Sequence, residues 1–123
     1  MKILLADDDK LVRLTVRDII AETGHEIMQA VDGVHAYNLA CSWHPDLIVL
    51  DWMMPGMNGI EVVRRLRENA GTKGIRVILL TARGRPADLV EIESAGITEC
   101  MTKPFRIPDL LNKIEEIAKG FQN

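Results

Sequence analysis

Four places in this sequence carry groups able to do chemistry together. Three consecutive acids, Asp7, Asp8 and Asp9, follow the apolar run Ile3-Leu4-Leu5-Ala6. Asp51 follows Leu47-Ile48-Val49-Leu50, Thr81-Ala82 follows Val77-Ile78-Leu79-Leu80, and Lys103-Pro104 follows Glu99-Cys100-Met101-Thr102. Carboxylates brought within a few ångströms repel. At an effective dielectric near 20, one unit pair about 4 Å apart costs roughly 4 kcal/mol. A proton or a cation has to relieve that repulsion. With no His or Cys at ligand spacing, such acids select a hard divalent ion, Mg²⁺ or Mn²⁺, which prefers oxygen ligands and keeps several waters. Lys103 adds a second positive charge. An anion entering such a site meets the metal, the ammonium, the Thr81 hydroxyl and backbone N–H groups. That set suits a phosphoryl group better than a neutral substrate. No GxxxxGK[ST] loop is present, so nucleotide binding is not implied. No Ser/His/Asp arrangement is present, and His25, His35 and His44 lie away from these four places.

Each group taken alone has a plainer reading. Asp-rich stretches favour turns and helix caps, and Asp9 is placed to cap the first helix. Asp51 after an apolar strand is common turn chemistry, Thr81 could be a cap, and Lys103 before Pro104 could be a solvated loop residue. Met53, Met54 and Met57 read as loop packing rather than a metal site. The joint placement of acid, acid, hydroxyl and base needs the elements that would position them.

Short apolar runs alternate with amphipathic segments. The strands predicted are residues 2–6, 26–30, 47–50, 77–80 and 99–101. Three of the runs are continuous rather than alternating, as in strands buried on both faces. Helices are predicted over residues 11–23, 34–42, 59–69, 86–95 and 108–121. Leu11, Leu14, Val16, Ile19 and Ile20 form the apolar stripe of the first, with Gly24 as its stop. Pro86 and Pro108 open the last two, where a missing N–H costs nothing. Leu110, Leu111, Ile114 and Ile117 line one face of the last. Five strands alternating with five helices predict an α/β fold: a (βα)5 doubly wound, five-stranded parallel sheet in the flavodoxin-like order 2-1-3-4-5. In that order strands one, three, four and five are successive neighbours. All four chemical groups then meet at one crevice at the carboxyl ends.

At 123 residues the chain reads as one domain, residues 1–123, long enough to bury a core without staples. Hydrophobic residues make up 47% and charged residues 27%, the balance of a soluble globular domain. A net charge of -3 offers no footprint for nucleic acid or an anionic membrane, and no apolar run approaches a membrane span. Cys41 and Cys100 show no CxxC pairing and read as small core side chains in a reducing cytoplasm.

The stretches ILLADDD, LIVLDWMMPGMNG, VILLTARG and TKPF together resemble the receiver domain of bacterial two-component response regulators. The likeness spans essentially the whole chain in four ordered motifs. It implies that Asp51 is the phosphoacceptor, Asp8 a direct metal ligand and Asp7 an outer member of the acidic pocket. The backbone carbonyl of Met53 would be a further metal ligand. Thr81 and Lys103 would contact the phosphoryl oxygens, Ala82 would offer its backbone N–H, and the Lys103-Pro104 bond would be cis. A sensor histidine kinase or a phosphotransfer protein would supply the phosphoryl group. The output would pass to a downstream protein partner or a fused effector domain, with a phosphorylation-dependent dimer as one form. Such a domain catalyses only its own phosphorylation and dephosphorylation.

One departure from the family pattern stands out, and two further positions bear on how long a phosphoryl group would last. An aromatic switch residue is common three positions before the lysine, where this chain has Cys100. Positions two beyond Asp51 and two beyond Thr81 hold Met53 and Arg83, neither of which positions a hydrolytic water well. With no ring at 100, switching would rest on Thr81, Lys103 and the loop 82–85, where Gly84 supplies backbone freedom. Leu89 and Ile92, three apart on the fourth helix, would face either a partner or the core. Two other classes compete with this reading. Asp7-x-Asp9 after an apolar strand also resembles haloacid-dehalogenase-type phosphatases, which pass through an aspartyl phosphate; Leu11 stands where they want a hydroxyl. An interaction module could keep the fold without phosphorylation.

Overall fold

The computed structural model describes residues 1–82, 86–97 and 99–121. Elements alternate without exception along it: β1 (Lys2–Ala6), α1 (Lys10–Ala21), β2 (Glu26–Ala30), α2 (Gly33–Trp43), β3 (Leu47–Asp51), α3 (Gly59–Glu68), β4 (Arg76–Thr81), α4 (Pro86–Ser94), β5 (Glu99–Thr102) and α5 (Ile107–Phe121). The strands form one parallel sheet in the order β2-β1-β3-β4-β5. Element boundaries differ from the predicted ones by one or two residues. Strands β3, β4 and β5 each reach one residue further, so Asp51 and Thr81 are the last residues of their strands.

Successive side chains of a strand point to opposite faces, and the core divides accordingly. Leu4, Ile48, Leu50, Val77 and Leu79 pack on one face against α2, α3, Ile92 of α4 and Ala95 just beyond it. Ile3, Leu5, Leu47, Val49, Ile78 and Leu80 pack on the other against Val16 and Ile20 of α1 and Leu110, Ile114 and Ile117 of α5. Every residue of β3 is buried, which is why its sequence shows no alternation. Burial of a Leu or Ile side chain contributes about 2–3 kcal/mol, so this double core holds the strand ends in place.

Caps set where the helices begin. Asp9 accepts from the amides of Leu11 and Val12, and Asp32 from that of His35. Asn58 accepts from the Glu61 amide while donating to the Glu61 carboxylate, a reciprocal cap for α3. Gly59 starts α3 directly beneath Asp51. A Cβ there would lie 2.7 Å from the Asp51 carbonyl oxygen, so only glycine admits this approach.

Four expectations need correction or completion. Leu11 does not join the core: it is 76% exposed and lines a groove with Val12, Phe105 and Ile107. Met54 is buried and Met57 packs against the core, but Met53 is 71% exposed and packs no loop. Cys41 and Cys100 are half-buried rather than fully in the core. Ile92 is buried, which gives it to the core, whereas the Leu89 side chain lies outside the described residues, as do Arg83, Gly84 and Arg85.

Candidate functional site

The crevice lies at the carboxyl ends of β1, β3, β4 and β5. Strand β1 delivers Asp7 and Asp8 immediately after Ala6, whose register partner on β3 is Leu50. Asp51 therefore stands beside them. One carboxylate oxygen from each of Asp7, Asp8 and Asp51 falls within a sphere in which all lie within 4.8 Å of one another. On the other side, Asp51 pairs in register with Leu80, so Thr81 stands one residue beyond it. Thr81 is buried and Ala82 is exposed. Lys103 enters from the end of β5, its backbone N–H donating to the Thr81 carbonyl at 2.6 Å. The Lys103-Pro104 bond is cis.

The lysine settles between two acids. Its Nζ lies 3.2 Å from Asp7 Oδ2 and 3.3 Å from Asp51 Oδ2. Burial of the ammonium pulls its pKa down, but the Asp51 and Asp7 carboxylates more than reverse this and hold it above the usual lysine value. Asp51 moves the other way from a typical acid. Burial first, then repulsion from Asp7, lifts it from 3.8 to about 6; Lys103 opposes the rise and Asp8 adds to it. One ammonium thus does not balance three carboxylates, and the pocket is poised to take a further cation.

Asp7 is fully buried and its carboxylate is already engaged. Oδ1 accepts from the Asp9 amide at 2.9 Å and Oδ2 from Lys103. Asp8 is exposed at the mouth of the crevice. This division, two acids buried and one exposed, fits a hard cation held through oxygen and completed by water. Met53 follows Asp51 by two residues, with its side chain turned outward.

Cys100 stands apart from this cluster. It pairs in register with Leu79, two positions before the strand end, and packs against the α2–α3 side of the core. Burial keeps its thiol pKa above the usual value, with Lys113 acting in the opposite direction. Two features escaped the sequence reading. The guanidinium of Arg13 donates to the Asp7 carbonyl at 2.9 Å. A groove of about 510 Å³, lined by Leu11, Val12, Val16, Phe105 and Ile107, opens beside Lys103. The tilt of helical side chains toward the N-terminus was the available signal for Arg13, four residues after the capping Asp9.

The family model of the response regulator receiver domain matches residues 3–115. The chain belongs to this family. As a receiver domain it is 35% identical over 118 residues to the DNA-binding dual master transcriptional regulator RpaA of Synechocystis, covering 96% of this chain and 49% of that protein. It is 34% identical to the phosphate regulon transcriptional regulatory protein PhoB of Escherichia coli, covering 96% of this chain and 52% of that one. The chain thus spans about half the length of the curated relatives it matches. Among solved structures, the Francisella response regulator 1452 receiver domain superposes with a TM-score of 0.89 at 32% identity, covering 98% of each chain. The chemotaxis protein CheY4 of Vibrio cholerae superposes at 0.88 and 30% identity, covering 94% of this chain and 97% of that one. The family match does not favour the phosphatase alternative. Among the described residues, no helix is long and apolar enough to cross a membrane.

Proposed function

We propose that this receiver domain accepts a phosphoryl group on Asp51 from a sensor histidine kinase or a phosphotransfer protein in the cytoplasm. The observation that carries the reading is the bridging Lys103, within 3.3 Å of both Asp7 and Asp51 inside a three-carboxylate cluster. Above pH 6 the Asp51 carboxylate is charged and available as a nucleophile. It attacks phosphorus in line with the donor imidazole: an O–P bond forms, the N–P bond breaks, and the freed imidazole nitrogen takes a proton from solvent. Lys103 pairs with the phosphoryl oxygens while Asp7 keeps hold of the ammonium. The Thr81 hydroxyl and the Ala82 N–H donate to the same oxygens. A Mg²⁺ or Mn²⁺ ion bound by Asp8, Asp51 and the Met53 carbonyl, with Asp7 behind them, would supply neutralising charge for the transferring group. The groove beside Lys103, with Leu11 exposed on its rim, offers apolar surface to the donor protein.

The product is an acyl phosphate, and the domain turns over no separate substrate. It carries about -2 charge where the carboxylate carried -1. Output then passes through α4, β5 and α5 to a downstream partner or effector domain, with dimerisation of the phosphorylated form as one route. The half-length match to RpaA, a DNA-binding regulator by name, supports an effector outside this chain. The test is phosphorylation by acetyl phosphate with Mg²⁺, read by intact mass. Wild type gains one phosphate and Asp51→Asn gains none, since an amide is not a nucleophile of this kind. Equal uptake by the two proteins removes Asp51 from the role.

A further inference from the structure

We propose that Arg13 is a positioning residue that sets the orientation of Asp8 at the metal site, an inference that rests on the phosphoacceptor reading above. Every polar atom of Asp7 is held. Its N–H donates to the Ala30 carbonyl, Oδ1 accepts from the Asp9 amide and Oδ2 from Lys103. The remaining atom, the carbonyl oxygen, accepts from Arg13 Nη1 at 2.9 Å. That carbonyl and the Asp8 nitrogen belong to one planar peptide unit. Fixing the direction of the carbonyl therefore fixes the plane from which the Asp8 side chain departs. Asp9, on the far side, is held by its own amide and by its cap on α1. Asp8 is left as the exposed acid between two restrained neighbours.

Arg13 is suited to this task by where it sits. Its backbone N–H donates to the Asp9 carbonyl at 2.9 Å, and its side chain returns toward the helix N-terminus to reach Asp7. It brackets the acidic turn from both ends. The buried core residues of α1 are Val16 and Ile20, further along the helix, with Val12 packed against the same cluster.

Charge and geometry make opposite predictions here, which makes the idea testable. A guanidinium near an acidic pocket repels a divalent cation, so electrostatics alone predicts tighter Mg²⁺ binding when Arg13 is neutralised. Loss of an orienting hydrogen bond predicts weaker binding, since removing groups that orient metal ligands commonly costs about 10–100-fold.

The experiment titrates Mg²⁺ by Trp52 fluorescence in a Trp43→Phe background, comparing wild type, Arg13→Gln and Arg13→Lys. Acetyl phosphate phosphorylation is followed at saturating Mg²⁺ in parallel. Arg13→Gln is expected to bind Mg²⁺ about tenfold more weakly while phosphorylating at the wild-type rate once the metal is saturating. Arg13→Lys, which keeps a donor of similar reach, is expected to recover most of that affinity. Equal or tighter Mg²⁺ binding by Arg13→Gln overturns the proposal. So does Arg13→Lys binding no better than Arg13→Gln, or a loss of saturating rate with affinity unchanged. An Arg13→Gln variant that fails to fold by circular dichroism gives the residue a structural role and overturns it too. A wild type that neither responds to Mg²⁺ nor takes up phosphate removes the phosphoacceptor reading itself, an outcome distinct from all of these.

Discussion

In metal-free buffer, replacing Asp51 by Asn is expected to stabilise the fold it sits in. Asp51 is 7% exposed and its pKa rises from 3.8 to about 6, through burial first and Asp7 second. Between those two values the native state holds more protons than the unfolded chain. Stability therefore falls as pH rises through that window and stays lowered above it. At about 1.4 kcal/mol per pKa unit, the full penalty near pH 7.5 approaches about 3 kcal/mol. The shift already nets the Lys103 attraction against the repulsions, and an amide still accepts from Lys103. Allowing for coupling within the cluster, a gain of about 1–3 kcal/mol is expected for Asp51→Asn. With a urea slope of about 2 kcal/mol/M, the midpoint rises by about 0.5–1.5 M. The assay is urea unfolding of both proteins in EDTA at pH 7.5 and pH 4.5. The difference should be large at the higher pH and shrink at the lower, where wild type is largely protonated at 51. Adding Mg²⁺ at pH 7.5 should narrow the gap by stabilising wild type alone. A variant no more stable than wild type at pH 7.5 in EDTA, or a gap that ignores pH, refutes the reasoning.

Three further outcomes follow from the same site. Asp8→Ala should weaken the Mg²⁺ response of Trp52 at least tenfold, measured in the Trp43→Phe background, because it removes one of few ligands; an identical titration denies Asp8 that role. Met53→Asn should speed loss of the phosphoryl group severalfold by giving an in-line water a hydrogen-bonding partner, read as decay of the phosphorylated mass; an unchanged or slower decay counts against it. Beryllofluoride with Mg²⁺ should alter amide exchange in residues 90–97 and 99–101 as well as in the acidic turn; protection confined to residues 7–9 and 51 would put the output on another face.

The legible parts of this structure are those where one strong physical demand acts on consecutive residues. Strands β1, β3 and β4 are buried on both faces, so their apolar runs announce them, and the acids, hydroxyl and lysine that follow mark one end of the sheet. What stayed hidden depended on edges and on side-chain direction. Leu11 continues the apolar stripe of α1, yet it stays exposed, and no periodicity tells where packing stops. Cys100 is half-buried because β5 is an edge strand, a fact of strand order rather than of local sequence. Spacing brought Lys103 to the acids but did not say which two it would bridge. Arg13 and Arg17 look alike in sequence. One returns over the acidic turn, and the other pairs with its neighbour Asp18 at the surface.

The electrostatics of the pocket bear on how a signal could leave it. Asp51 resists even one negative charge, and on the proposed chemistry about two would take its place. Among the described residues, Lys103 is shared between Asp7 and Asp51, so on the proposed chemistry it would answer the phosphoryl group while still paired with Asp7. Its backbone is bonded to the Thr81 carbonyl, so a shift at Lys103 and a shift at Thr81 are mechanically one event across the ends of β4 and β5. That linkage reaches α4 and α5 through the two strands they flank, and it needs no ring at position 100. A half-buried Cys gains far less from deeper burial than Tyr or Phe would. On the proposed chemistry, the free energy of switching therefore resides in rearranged charge at Asp7, Asp51 and Lys103 more than in the repacking of any one side chain.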